Sequence, residues 1–116
     1  EWTTMPNAFR SPTVAQIIAE NSLGHATPTA PTFFYNGIYD ELVWIKPLDA
    51  LVASYCAAGA KIDYYRDPAG LEHIQGVANF APLALSYLDA RFAGGPVPDT
   101  CGAPGNSGPP PIGMPG

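Results

Sequence analysis

The sequence has 116 residues, of which 47% are apolar and only 13% charged, so one ordinary domain is expected and global disorder is not. Ten acidic residues against five basic ones leave a formal charge of −5. Arg10, Lys46, Lys61, Arg66 and Arg91 are scattered, which gives no footprint for nucleic-acid phosphates or anionic lipid, and no apolar run approaches the roughly 20 residues that span a bilayer.

The chain opens Glu1-Trp2-Thr3-Thr4, without Met, and no apolar signal region follows Arg10. A secretory signal would therefore have been removed or lie upstream, and the opening reads as a cut inside a longer protein. The first predicted element is a helix. Ser11 caps it, Pro12 suits its first position, Val14, Ile17 and Ile18 recur at helical spacing, and Gly24 stops it. A linker with Pro28 and Pro31 leads to Thr32-Phe33-Phe34-Tyr35, ended by Asn36-Gly37. Its length and aromatic content predict a strand buried on both faces, as in a parallel sheet.

Beyond Asp40 and Glu41 a second helix is predicted from Pro47, with Leu48, Leu51, Val52 and Tyr55 on one stripe and Gly59 at its end. Ala60 to Arg66 is the second strand, with Ile62 and Tyr64 on one face. Asp67-Pro68-Ala69-Gly70 is a turn, which places His73 on a loop. The last helix is predicted from about Phe80 to Phe92, capped by Asn79, with Pro82 in its first turn. Its apolar stripe is Ala81, Leu85, Leu88 and Phe92, and Gly94-Gly95 ends it. Seven Gly and seven Pro fall in the last 23 residues, so the part after Cys101 is expected to be an extended or disordered tail without a role of its own.

The order helix, strand, helix, strand, helix makes the chain α/β with a parallel strand pair joined by a right-handed crossover. Two parallel strands are too few for a stable sheet. The fold is incomplete on its own unless it is the end of a larger doubly wound sheet.

Two cysteines, Cys56 and Cys101, stand 45 positions apart, which fits either one disulfide or two free thiols. The zinc spacings CxxC and HxxxH are missing, and no metal or cofactor is expected. Cys56 lies in an apolar helical run that would desolvate its thiol and lower its reactivity. A disulfide would place the protein in an oxidising, extracellular compartment.

Ligands and reacting groups in open parallel sheets gather past the carboxyl ends of the strands. Asp40 follows the first strand and His73 the second, so both loops leave the same edge if the strands are neighbours. A carboxylate that meets an imidazole N–H fixes the ring tautomer, as in the rear part of a Ser–His–Asp relay. On spacing alone Asp40 is more often a turn former or a cap for the next helix, and His73 a solvated loop residue. Glu41 and Glu72 flank them as substitute orienters, and His25, in the linker, is expected to have no role. The nucleophile is missing. Ser11, Ser22, Ser54, Ser86 and Ser107 are the serines, and none lies in G-x-S-x-G or on a strand-to-helix elbow. The covalent step of acyl transfer is therefore not expected from this sequence by itself.

The run Pro31-Thr32-Phe33-Phe34-Tyr35-Asn36-Gly37-Ile38-Tyr39-Asp40-Glu41-Leu42-Val43 resembles the acid-bearing strand and loop of the secretory lipases, the fungal and actinobacterial family of Candida antarctica lipase A type. The similarity extends to Tyr55-Cys56-Ala57-Ala58-Gly59-Ala60, Glu72-His73-Ile74, Arg91-Phe92-Ala93-Gly94 and Val97-Pro98-Asp99-Thr100-Cys101. Family members commonly carry Pro where Trp44 stands. The resemblance implies an α/β-hydrolase fold, with Asp40 as triad acid, His73 as general base, and a disulfide between Cys56 and Cys101. It further implies that residues 1–23 form a connecting helix leaving the lid, that residues 24–101 are the C-terminal hydrolase segment, and that residues 102–116 are a Pro/Gly-rich tail. The expected function is a fragment of a secreted lipase or esterase, acting on lipid esters and inactive alone, whose partner is the remainder of the parent chain. The alternative is a small secreted module that binds or self-associates without catalysis.

Overall fold

A computed structural model describes residues 6–102; the predicted tail beyond these, and the first five residues, lie outside the described part. A short 3-10 turn at Ala8–Arg10 precedes helix α1, Pro12–Asn21. Ser11 caps it as predicted, its hydroxyl accepting from Val14 N–H at 3.3 Å, and Pro12 takes the position where its missing N–H costs nothing. No residue of α1 is buried. The predicted stripe exists, but Ile17 and Ile18 are about half exposed.

Strand β1, Thr32–Gly37, and strand β2, Ile62–Asp67, form a two-stranded parallel sheet. The register runs from Thr32 opposite Ile62 to Gly37 opposite Asp67. Alternation of side chains sorts the pair into two faces. Phe34, Ile62 and Tyr64 turn toward α2, Ile45–Ala57, whose Val52 and Tyr55 complete the main apolar cluster. Phe33 and Tyr35 turn to the opposite face, toward α3, His73–Phe92, where their rings meet Phe80 and Tyr87 with centroids 5.5–6.2 Å apart. The sheet is thus covered by a helix on each side, the arrangement that parallel pairs need.

Helix α2 begins two residues before Pro47. Proline is tolerated there because the first-turn N–H groups have no intrahelical partner anyway. Gly59 follows with φ of 86°, the left-handed geometry that ends a helix cheaply in glycine.

Helix α3 corrects the sequence reading most. It starts at His73, not near Phe80, and runs through Pro82. His73 is therefore a first-turn helical residue rather than a loop residue. Glu72 and Gln75 form a reciprocal capping box, and the side chain of Asn79, the predicted cap, serves elsewhere. The stripe expected to face the core is exposed: Leu85 is 63% and Phe92 88% accessible. The buried face is instead Gly76, Leu83 and Tyr87. The helix is apolar on two sides, and the sheet takes the side whose aromatics stack on Phe33 and Tyr35.

The outer edge of β2 is closed by the segment around Thr100. Its N–H donates to Ile62 O at 2.7 Å, and its hydroxyl accepts from Tyr64 N–H at 2.9 Å. A disulfide between Cys56 and Cys101, with Cα atoms 5.3 Å apart, and a Lys61–Asp99 ion pair at 2.8 Å hold this segment. Among the described residues, β1 pairs with β2 alone.

Candidate active site

The site lies at the carboxyl ends of both strands. Asn36 is buried at the end of β1, and its amide donates to Val43 O at 2.8 Å and to Gly37 O at 3.1 Å. That folds residues 37–43 into a tight loop. Within it the Asp40 carboxylate, with a side chain only 8% exposed, accepts from Leu42 N–H at 2.9 Å and Val43 N–H at 2.7 Å through Oδ1. This is the local side-chain-to-backbone turn that aspartate favours. Its other oxygen, Oδ2, lies 2.9 Å from His73 Nδ1. Burial by itself would raise the Asp40 pKa, but the Val43 N–H, the His73 ring and the Leu42 N–H together hold it below the ordinary carboxylate value. Asp40 is thus ionised at neutral pH, accepts a proton-bearing Nδ1, and leaves Nε2 as the ring nitrogen able to take a proton.

Sequence reasoning named both residues, and the structure brings them together. The turn-former reading of Asp40 holds through Oδ1, while Oδ2 makes the ring contact. The substitute orienters have other partners. Glu41 accepts the backbone N–H of His73 at 3.1 Å, an unpaired donor at the start of α3, and Glu72 belongs to the capping box. His25 Nε2 lies 2.6 Å from Ala19 O near the end of α1. Trp44 sits with φ of −63°, a value proline itself would adopt, so the loop keeps a proline-compatible shape.

Asp67, Tyr35 and Asn79 escaped the sequence reading. Asp67 ends β2 and is 4% exposed. Its Oδ2 accepts from Tyr35 Oη at 2.6 Å and Asn79 Nδ2 at 3.1 Å, and its Oδ1 from Ala69 N–H at 2.8 Å. Burial pushes its pKa up, yet these three donors outweigh it and bring the pKa below the ordinary value. Burial and the same hydrogen bond raise the Tyr35 phenol above its usual range. The Asp-Pro turn signal at Asp67-Pro68 masked this role, and no local pattern announces a tyrosine 32 positions away.

The serines with described contacts are used by helices. The Ser11 hydroxyl caps α1, and Ser22 and Ser54 donate to the carbonyls of Ile18 and Leu51. Ser86 lies within α3, and Ser107 lies outside the described residues.

A family model described as secretory lipase matches residues 2–100. The chain is 37% identical over 95 residues to a "Probable inactive lipase MT1628" of Mycobacterium tuberculosis, which covers 82% of this chain and 21% of that protein. It is 34% identical over 93 residues to Lipase A of Arthroderma benhamiae, covering 80% and 20% of the two chains. It is 37% identical over 81 residues to the Trichothecene C-3 esterase of Fusarium sporotrichioides, covering 69% and 18%. The chain thus spans about a fifth of the length of these relatives. No solved structure gives a significant match. The secretory lipase match over nearly the whole sequence, joined to these lipase and esterase relatives, establishes that the chain belongs to the secretory lipase family.

Proposed function

We propose that this chain is the C-terminal, acid- and base-bearing part of a secreted α/β-hydrolase that cleaves carboxylic esters of the acylglycerol class. The observation that carries the reading is the 2.9 Å contact between His73 Nδ1 and Asp40 Oδ2 at the carboxyl edge of a parallel sheet. Asp40 holds the imidazole in the tautomer with Nε2 unprotonated. A serine hydroxyl supplied by the rest of the parent chain attacks the ester carbonyl as Nε2 takes its proton. His73 then returns that proton to the leaving alcohol, and the buried Asp40 carboxylate stabilises the imidazolium formed in between. A water molecule, activated by the same nitrogen, releases the acid in the second half of the reaction.

The remainder of the parent chain is also the partner that the apolar exposure calls for. It would pack on the outer face of α3, where Ile74, Val77, Leu85, Leu88 and Phe92 are exposed, and on Ile17 and Ile18 of α1. Residues 1–23 are assigned to the connection from the lid and residues 24–101 to the hydrolase segment. The Cys56–Cys101 disulfide supports secretion.

Alone, the 116-residue chain hydrolyses no p-nitrophenyl ester, whereas the full-length protein does so and loses the activity on His73→Ala. Esterase turnover by the isolated chain that His73→Ala abolishes would contradict the assignment of the nucleophile to the missing part. The exposed α3 face favours a second behaviour in isolation, self-association. Sedimentation detects it, and Leu85→Lys with Leu88→Lys reduces it; a wild-type chain that stays monomeric rules it out.

A further inference from the structure

We propose that Asp67 is the positioning residue of the site, holding the segment that carries His73 against the segment that carries Asp40. It is bonded to both. Its backbone carbonyl accepts from Ile38 N–H at 2.9 Å, two residues before Asp40. Its carboxylate accepts from Tyr35 in β1, from Ala69 in the turn that leads to His73, and from Asn79 in the helix that His73 begins. Asp67 is 4% exposed, while the Glu41 bond to His73 N–H is at the surface.

The geometry explains why a carboxylate is needed at this point. Three donors from three segments converge on two oxygens, and a carboxylate alone among the side chains offers acceptor capacity for all of them without adding a donor of its own. The charge shortens and strengthens each bond. The chain around it is tightly laid. A Cβ placed on Gly37, the register partner of Asp67, would sit 3.5 Å from Leu71 O, two residues before His73. The loop before His73 therefore crosses directly over the end of β1. Asn79 lies six residues along α3 from His73, so its bond to Asp67 fixes both the height and the rotation of the helix that presents the imidazole. The hydrogen bonds of Asp67 do not reach the His73 ring, and it acts through the segments they join.

The inference rests on the esterase reading for its kinetic consequence, and not for its structural one, so two measurements separate them. The first uses the 116-residue chain and follows the His73 Nδ1–H proton by NMR. Asn79 itself is exposed, so Asn79→Ala should leave the chain folded, with a lowered melting temperature. It should nevertheless broaden the Nδ1–H signal or speed its exchange with water, and Asp67→Asn should do so more strongly. The second uses the full-length protein. There Asn79→Ala lowers kcat about 10-fold and Asp67→Asn about 100-fold with KM unchanged, the size expected when a catalytic group is misplaced by around 1 Å. An unaltered Nδ1–H signal in a folded Asn79→Ala chain, or unaltered kcat in that variant, overturns the proposal. A full-length wild type without esterase activity refutes the esterase reading instead, and the NMR measurement then decides the inference by itself.

Discussion

The rim at the carboxyl ends of β1 and β2 and the outward faces of α1 and α3 obey different rules. At the rim the Asp40 and Asp67 carboxylates and the Asn36 amide are met from within the chain. Asp40 accepts from Leu42, Val43 and His73, Asp67 from Tyr35, Ala69 and Asn79, and Asn36 donates to the loop it closes. The outward faces are apolar and bare, with Ile74, Leu85 and Phe92 largely exposed. Hydrogen-bond geometry is short-range, so neighbouring loops can complete it. Apolar cover requires whole elements, and among the described residues none lies over these faces.

If the rim is self-sufficient and functional, breaking its central contact has the largest effect. In the full-length protein His73→Ala and Asp40→Asn each lower kcat toward p-nitrophenyl esters by about 10⁴-fold, the scale on which loss of a triad member acts. Circular dichroism should stay unchanged.

The closed edge of β2 gives the next effect, on stability. Replacing both Cys56 and Cys101 by Ser removes a crosslink over 45 positions and should cost about 4 kcal/mol in urea unfolding. An equal midpoint with and without the bond would mean that Thr100 and the Lys61–Asp99 pair hold the strip unaided.

Acid weakens the rim selectively. Asp40 and Asp67 both have folded pKa values below the ordinary carboxylate value. Their contribution is therefore complete above the unfolded pKa of about 4 and is lost as pH falls through the lower folded values. Asp63 behaves oppositely. Burial raises its pKa, and Arg91 only partly offsets this. Its charged form is disfavoured on folding, so Asp63→Asn raises the melting temperature at pH 7, with a gain that shrinks as pH falls through the folded pKa. Melting curves from pH 7 to pH 3 on wild type, Asp40→Asn and Asp63→Asn separate the two signs; parallel curves would contradict both.

The smallest effect concerns the first N–H of α3. Glu41→Ala removes its acceptor and costs about 1 kcal/mol or less. Glu41→Gln keeps an acceptor and loses only part of that, a difference readable in thermal melts.

Much of this architecture was legible in the residues. Ser11-Pro12 marked α1, the aromatic run marked β1, and Gly59 marked the end of α2, because caps and strand content are local signals. Asp40 and His73 were placed at one edge by strand order alone. What was not legible depended on distant partners. The early start of α3 rests on a Glu-to-Gln capping pair, an unusual choice for a cap. Pro82 sits inside a helix that an aromatic face holds against the sheet, so tertiary packing overrides a local breaker. Both sides of α3 are apolar, and periodicity cannot say which one the sheet takes. Asp67 looked like a turn residue because its partners lie in β1 and α3.

In the proposed function Asp40 and His73 act as one unit on a serine hydroxyl. The most direct measurement is a double-mutant cycle on kcat of the full-length enzyme with Asp40→Asn, His73→Ala and both together. The double variant should be no slower than His73→Ala alone, because the carboxylate acts only through the imidazole. Losses that multiply, or an Asp40→Asn enzyme with full activity, would contradict it.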